Sequence, residues 1–380
     1  EGVVDLSGNK PQARSDLDLM IIVNDESLAP AKSDVASRIR KLVSQRVPGM
    51  MADIWIGTVG ELTKWIKEPS FERLQIGGSP CFLYGGERIS HLFVDCHKEG
   101  ISDWETFRLL GNRAVDLLAS RCSPDAEEDE TAVIHVCAKA VWEVCSLMCI
   151  NQEVWGHTAE ARLSLANEHG VCEKLGITAS ELKDWYELRI NPSLSKGGAG
   201  ETLSSVREVQ AEAERIVGAC FEWHANSIPR LPTNSFSDLV SQLAKRHAFS
   251  ENVSFSQYIN RNLSESPSVV LRKTFGYFRW YGFFANWRRF NKALSDAGLD
   301  RLPALRSMKL ADIGTPIILV FSAAQLVLKA NCEDDPDPVL MKDAVEMLPD
   351  KISDWDDVPL LVERIGYLRD VLLGRKMVQS

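Results

Sequence analysis

The sequence predicts an α+β protein in which a small N-terminal unit of strands and flanking helices precedes largely α-helical domains. Three observations predict it. Short apolar or alternating stretches at 16–24, 52–57 and 80–84 have the length and composition of strands. The segment "SDVASRIRKLVSQRV" between the first two carries Val35, Ile39, Leu42 and Val43 at helical spacing. Beyond about residue 101, long stretches of helical period dominate.

Taken in order, the first strand, its helix and the second strand form a strand–helix–strand unit, and "GELTKWIKE" adds a short helix after it. "WETFRLLGNRAVDLLASR", "TAVIHVCAKAVWEVCSLMCI" and "SSVREVQAEAERIVGACFEWHA" then read as helices. They are separated by the acidic "SPDAEEDE" and the glycine-rich "NPSLSKGGAG". "SIPRLPTNS" marks a second break, so the expected segments are 1–100, 101–228 and 229–380. The apolar "TPIILVFSAAQLVL" ends at Lys329, short of a membrane span, and reads as a buried helix.

At 380 residues with 45% hydrophobic composition, the chain can build more than one core. Its nine cysteines lie in helical-looking sequence, without the spacing of a disulfide framework or a paired zinc site. The start does not read as a signal peptide, so the expected location is the cytoplasm, with no membrane partner. A net charge of −10 argues against nucleic-acid binding by bulk electrostatics and leaves room for a local basic face.

"RSDLDLMIIV" places Asp16 and Asp18 one residue apart at the start of an apolar strand. Side chains alternate along a strand, so the two carboxylates share a side about 7 Å apart. Hard divalent cations take oxygen ligands, and Mg²⁺ typically combines one or two protein carboxylates with substrate phosphates. A two-metal site holds ions about 3.5–4 Å apart and calls for a third carboxylate on a neighbouring strand. Asp53 in "MMADIWIG" is spaced for that role. The other reading of SDLD is a turn in which Ser15 and Asp16 cap backbone groups before the strand. Asp18 resists that reading, because it lies between Leu17 and the apolar run 19–23, where an unpaired carboxylate is costly to bury.

"RSDLDLMIIV", then "MADIWI", then "FLYGGERI" resembles the catalytic core of the nucleotidyltransferase superfamily related to DNA polymerase β, most closely its minimal and antibiotic-type members. The resemblance covers roughly residues 1–95. It implies a mixed sheet with flanking helices, followed by a helical domain. It also implies two Mg²⁺ ions at Asp16, Asp18 and Asp53, a nucleoside triphosphate (ATP first) as donor, and Ser15 and Lys139 among the nucleotide contacts. Lys139 has a second reading, a surface lysine whose stem lies along apolar neighbours. The family's Gly-Ser pair upstream of the DxD is not found; either Ser7 and Gly8 stand in for it in reversed order, or it precedes Glu1. The second reading is preferred here, because "VVDL" is short for a first strand. The acceptor classes are a small molecule such as an aminoglycoside, which the acidic charge favours, an RNA end such as tRNA, or a protein side chain as in toxin–antitoxin systems. A degenerate core retained as a binding module is the non-enzymatic alternative.

"RLSLANEH", Arg162 to His169, superficially resembles the Arg and His pair of HEPN ribonucleases. Residues 272–292 combine Arg272, Lys273, Arg279, Arg288, Arg289 and Lys292 with Phe278, Trp280, Tyr281 and Trp287. They read either as a nucleic-acid contact or as an amphipathic helix with core aromatics and solvated cations, the second being preferred. HExxH and P-loop patterns are missing from the sequence.

Overall fold

The computed structural model describes residues 4–5, 12–13, 17–23, 32–47, 52–67, 70–71, 74, 82–86, 89–93, 101–122, 130–152, 154, 156, 158–190, 205–228, 235–250, 287–300, 302–313, 315–330, 337–349 and 358–373. The protein is α+β and mostly helical. It divides into two compact units, each discontinuous in sequence: residues 1–105 with 134–205, and residues 106–133 with 206–380.

The first unit holds all the described strands. β1 (Val4–Asp5) and β2 (Gln12–Ala13) form a two-residue antiparallel pair. β3 (Leu17–Val23) and β4 (Ala52–Thr58) pair in parallel, joined through α1 (Lys32–Arg46), the kind of crossover that a parallel pair requires. Ala36, Ile39 and Val43 of α1 pack on Leu17, Leu19, Ile21, Ala52, Ile54 and Ile56. Arg40 Nε donates to the Ala52 carbonyl at 3.2 Å and ties the helix to the start of β4. The inward stripe is therefore 36, 39 and 43, whereas Val35 and Leu42, expected on the apolar face, are exposed. α2 (Val59–Lys67) starts at a capping box: the Thr58 N–H donates to Glu61 Oε2 at 2.7 Å, and the Glu61 N–H returns to Thr58 Oγ1 at 3.2 Å.

The strand expected at 80–84 is not borne out at 82–84, where Leu83 is 82% and Tyr84 99% exposed. The reason lies in the glycines. Gly85 sits at φ 64° and Gly86 lies so close to Phe82 that a Cβ would meet its Cβ and Cγ at 2.4 Å, so the chain turns back on itself. Phe82 stacks edge-on with Phe93 at 5.9 Å, in the 3₁₀ turn Ser90–Phe93.

α3 (Asp103–Cys122) lies in the second unit from Thr106, and α4 (Glu130–Asn151) in the first from Ile134. α4 is long and apolar enough to cross a membrane, yet 83% of its apolar window is buried inside the fold, as in a core helix. α5 (Ala159–Glu168), α6 (Val171–Leu175) and α7 (Ala179–Ile190) complete the unit. Trp142 of α4 packs at a tilt against Tyr186 of α7, ring centres 4.7 Å apart, and His135 Nδ1 donates to the Arg189 carbonyl at 3.0 Å.

The second unit is built on α11 (Pro316–Ala330), buried along almost its whole length as expected. α8 (Val206–Ser227), α9 (Phe236–Ser250), α10 (Ala304–Ile313), α12 (Pro338–Met347) and α13 (Val358–Leu372) pack on it. Gln325 Nε2 donates to the Leu110 carbonyl at 2.9 Å. Nearby, Gly111 approaches Phe321 so closely that a Cβ there would meet its ring at 2.4 Å. Among the described residues here, Arg369 pairs with Asp116, which also takes Arg113 at 2.9 Å. Glu214 accepts from Arg121 at 3.2 Å, and burial pushes its carboxyl up to about 7 against the lowering effect of that guanidinium. The described free cysteines 137, 145, 149, 172 and 220 are buried.

Candidate functional site

β3 and β4 present two different faces. Positions 17, 19, 21, 52, 54 and 56 face α1, so strand alternation assigns positions 18, 20, 22, 53, 55 and 57 to the opposite face. The parallel register sets Asp18 against Asp53, Met20 against Trp55 and Ile22 against Gly57. Neighbouring strands run about 4.8 Å apart, so the backbone brings two carboxylate-bearing positions together at the N-terminal ends of adjacent strands. Asp53 is exposed, while its neighbours Ala52 and Ile54 are buried. Among the described residues, no hydrogen bond or ion pair engages the Asp53 carboxylate.

Ser15, Asp16, Ser7 and Gly8 lie outside the described residues, and Asp18 is placed by its backbone and register alone. Among the described residues, no group of three or more His, Cys, Asp or Glu side chains is gathered around a metal position. The donor chemistry of Asp18 and Asp53, hard carboxylate oxygens at directly opposed positions, fits Mg²⁺ rather than a soft metal.

Two residues of this face escaped the sequence reading. Trp55 is half-buried and its indole lies over Gly57: a Cβ on Gly57 would fall 2.0 Å from Cη2. The period-two pattern of "DIWIG" was the available signal, since it puts Asp53, Trp55 and Gly57 on one side.

Lys139 is half-buried on α4, in the same unit as β3 and β4, and among the described residues has no hydrogen bond or ion pair. Arg162 Nε donates to the Gly156 carbonyl at 2.8 Å, a structural use, while His169 is exposed at the C-cap of α5. Residues 272–286, and with them Arg272, Lys273, Phe278, Arg279, Trp280 and Tyr281, lie outside the described residues. Residues 287–296 are helical. Trp287 packs against the Phe290 and Leu294 core and donates from Nε1 to Ser307 Oγ at 2.9 Å, while Arg288, Arg289 and Lys292 are exposed. Over those residues the amphipathic-helix reading holds, and the Trp287 ring is committed to the core.

No family model matches this chain, and neither a curated protein nor a solved structure matches it significantly.

Proposed function

We propose that this chain is a Mg²⁺-dependent nucleotidyltransferase with a polymerase β-like core, moving a nucleoside monophosphate from a nucleoside triphosphate to a hydroxyl of a small-molecule acceptor. The observation that carries the reading is the register of Asp18 on Asp53, with Asp53 exposed and unengaged among the described residues. Asp16, Asp18 and Asp53 are the residues that would hold Mg²⁺. When bound, two such ions supply positive charge beside the reacting phosphate and acidify the attacking hydroxyl.

The chain's own residues do the rest. The acceptor oxygen bonds to the α-phosphorus, the bond from that phosphorus to the β-phosphate bridging oxygen breaks, and pyrophosphate departs with the electron pair. Asp53 receives the hydroxyl proton as general base. Lys139 and Ser15 offer a cation and a hydroxyl to the triphosphate. The net charge of −10 favours a cationic acceptor such as an aminoglycoside. The engagement of Trp287 in the core removes one stacking ring from the RNA reading.

The test is pyrophosphate release from α-labelled ATP and Mg²⁺ over a panel of aminoglycosides. The expected result is labelled nucleotide on one acceptor with equimolar pyrophosphate. Transfer to tRNA or protein alone would replace the acceptor class, and no release with any of the four nucleotides and all acceptors would overturn the enzyme.

A further inference from the structure

The face that carries Asp53 also carries a ring with no role in the mechanism above. Trp55 is the next residue on that face, and its indole extends along the strand to cover Gly57. Gly57 is four residues beyond Asp53, which is about 13 Å at strand rise. The acceptor hydroxyl must lie within hydrogen-bond reach of Asp53, which fixes the reacting end of the acceptor at the carboxylate and not beside Gly57. A nucleotide whose α-phosphate lies beside Asp53 reaches further, because its ribose intervenes before the base. Trp55 also differs from a core tryptophan: Trp142 of α4 is 2% exposed and packs against Tyr186 of α7, whereas Trp55 is only half-buried.

We propose that Trp55, seated in the space left by the missing side chain of Gly57, is the stacking platform for the base of the nucleoside triphosphate. This rests on the nucleotidyltransferase reading. Stacking on an aromatic face tolerates any base, because each presents a π surface. Gly57 is then a positioning residue: a methyl group there would collide with the indole and push it off the strand.

Isothermal titration of the full chain in Mg²⁺, with ATP and with inorganic tripolyphosphate, separates base from phosphate contacts. Wild type should bind ATP more tightly than tripolyphosphate. Trp55→Ala should lose about tenfold to a hundredfold in ATP affinity and leave tripolyphosphate unchanged. Gly57→Ala should do the same with the tryptophan still present. Trp55→Phe, which keeps a ring and guards against loss of fold in the other two, should show a smaller loss confined to ATP. Variants that bind ATP like wild type, or that lose both ligands equally, would overturn the platform while leaving the enzyme standing. A wild type that binds neither ligand would overturn the nucleotidyltransferase reading and the platform with it.

Discussion

The strand pair of the first unit and the α11 core of the second treat charge in opposite ways. Around α11, Arg369, Asp116 and Arg113 are engaged with one another, and Glu214 is held by Arg121. On β4, Asp53 stands exposed beside the position of Asp18, with no described partner. A chain gains no folding stability by setting two acids directly across a strand pair, since like charges there repel. The contrast is between charges that find partners inside the fold and a carboxylate that finds none among the described residues, which is what the proposed metal site would require. Substitutions in the two regions should therefore fail in opposite ways.

The largest effect should come at Asp53. Asp53→Asn should lower transfer by about 10²- to 10⁴-fold. Stability should stay within about 0.5 kcal/mol, because the side chain is exposed. Steady-state transfer beside a urea melt checks both halves, and a large loss of stability would break the comparison. The mirror image is Phe321→Ala, in a residue 0% exposed, which should cost about 3–5 kcal/mol. If folded at the assay temperature, that variant should keep near-normal turnover.

Glu214 sharpens the comparison through pH. Its folded carboxyl is raised from 4.5 to about 7, so the native state holds the proton more tightly than the unfolded chain. Its contribution is therefore most favourable below about pH 4.5 and is lost as pH rises towards 7, with the full cost present above that. Glu214→Gln should match wild type near pH 5 and be more stable at pH 8, by at most about 3 kcal/mol. Denaturant midpoints at the two pH values read the difference, and a gap that widens towards acid would contradict the assignment.

The smallest effects belong to exposed pairs. Lys329 meets Glu222 at 2.8 Å with both side chains over 40% exposed, so Glu222→Gln should change stability by under about 1 kcal/mol. Replacing Arg288, Arg289 and Lys292 with Gln should be similarly mild. Filter binding of tRNA across salt should show no difference from wild type, and a flattened salt slope in the variant would restore RNA as a partner.

What was legible in the sequence follows from period. β3, α1, β4 and α11 were readable because burial on one face imposes alternation or helical spacing directly on the residues. The pairing of β3 with β4 was readable from the single helix between them. Leu42 was misjudged because both Leu42 and Val43 are apolar, and only the crossing of α1 over Ala52 and Ile54 decides which turns inward. The 82–84 segment looked like a strand by composition, but Gly85 and Gly86 turn the chain there. The grouping of 106–133 with 206–380 depends on contacts between distant segments, which no local pattern records. At the candidate site, Asp53 was legible as a carboxylate in an apolar run. Trp55 was overlooked because a tryptophan there reads as core until Gly57 shows where its ring lies.

The central claim is that Asp18 and Asp53 hold one divalent ion between them. Mn²⁺ titration followed by electron paramagnetic resonance, on wild type, Asp18→Asn, Asp53→Asn and the double variant, tests it most directly. Shared ligation predicts that each single variant weakens binding strongly and that the double variant loses far less than the sum of the two. Losses that add, or single variants that bind Mn²⁺ like wild type, would contradict the shared site.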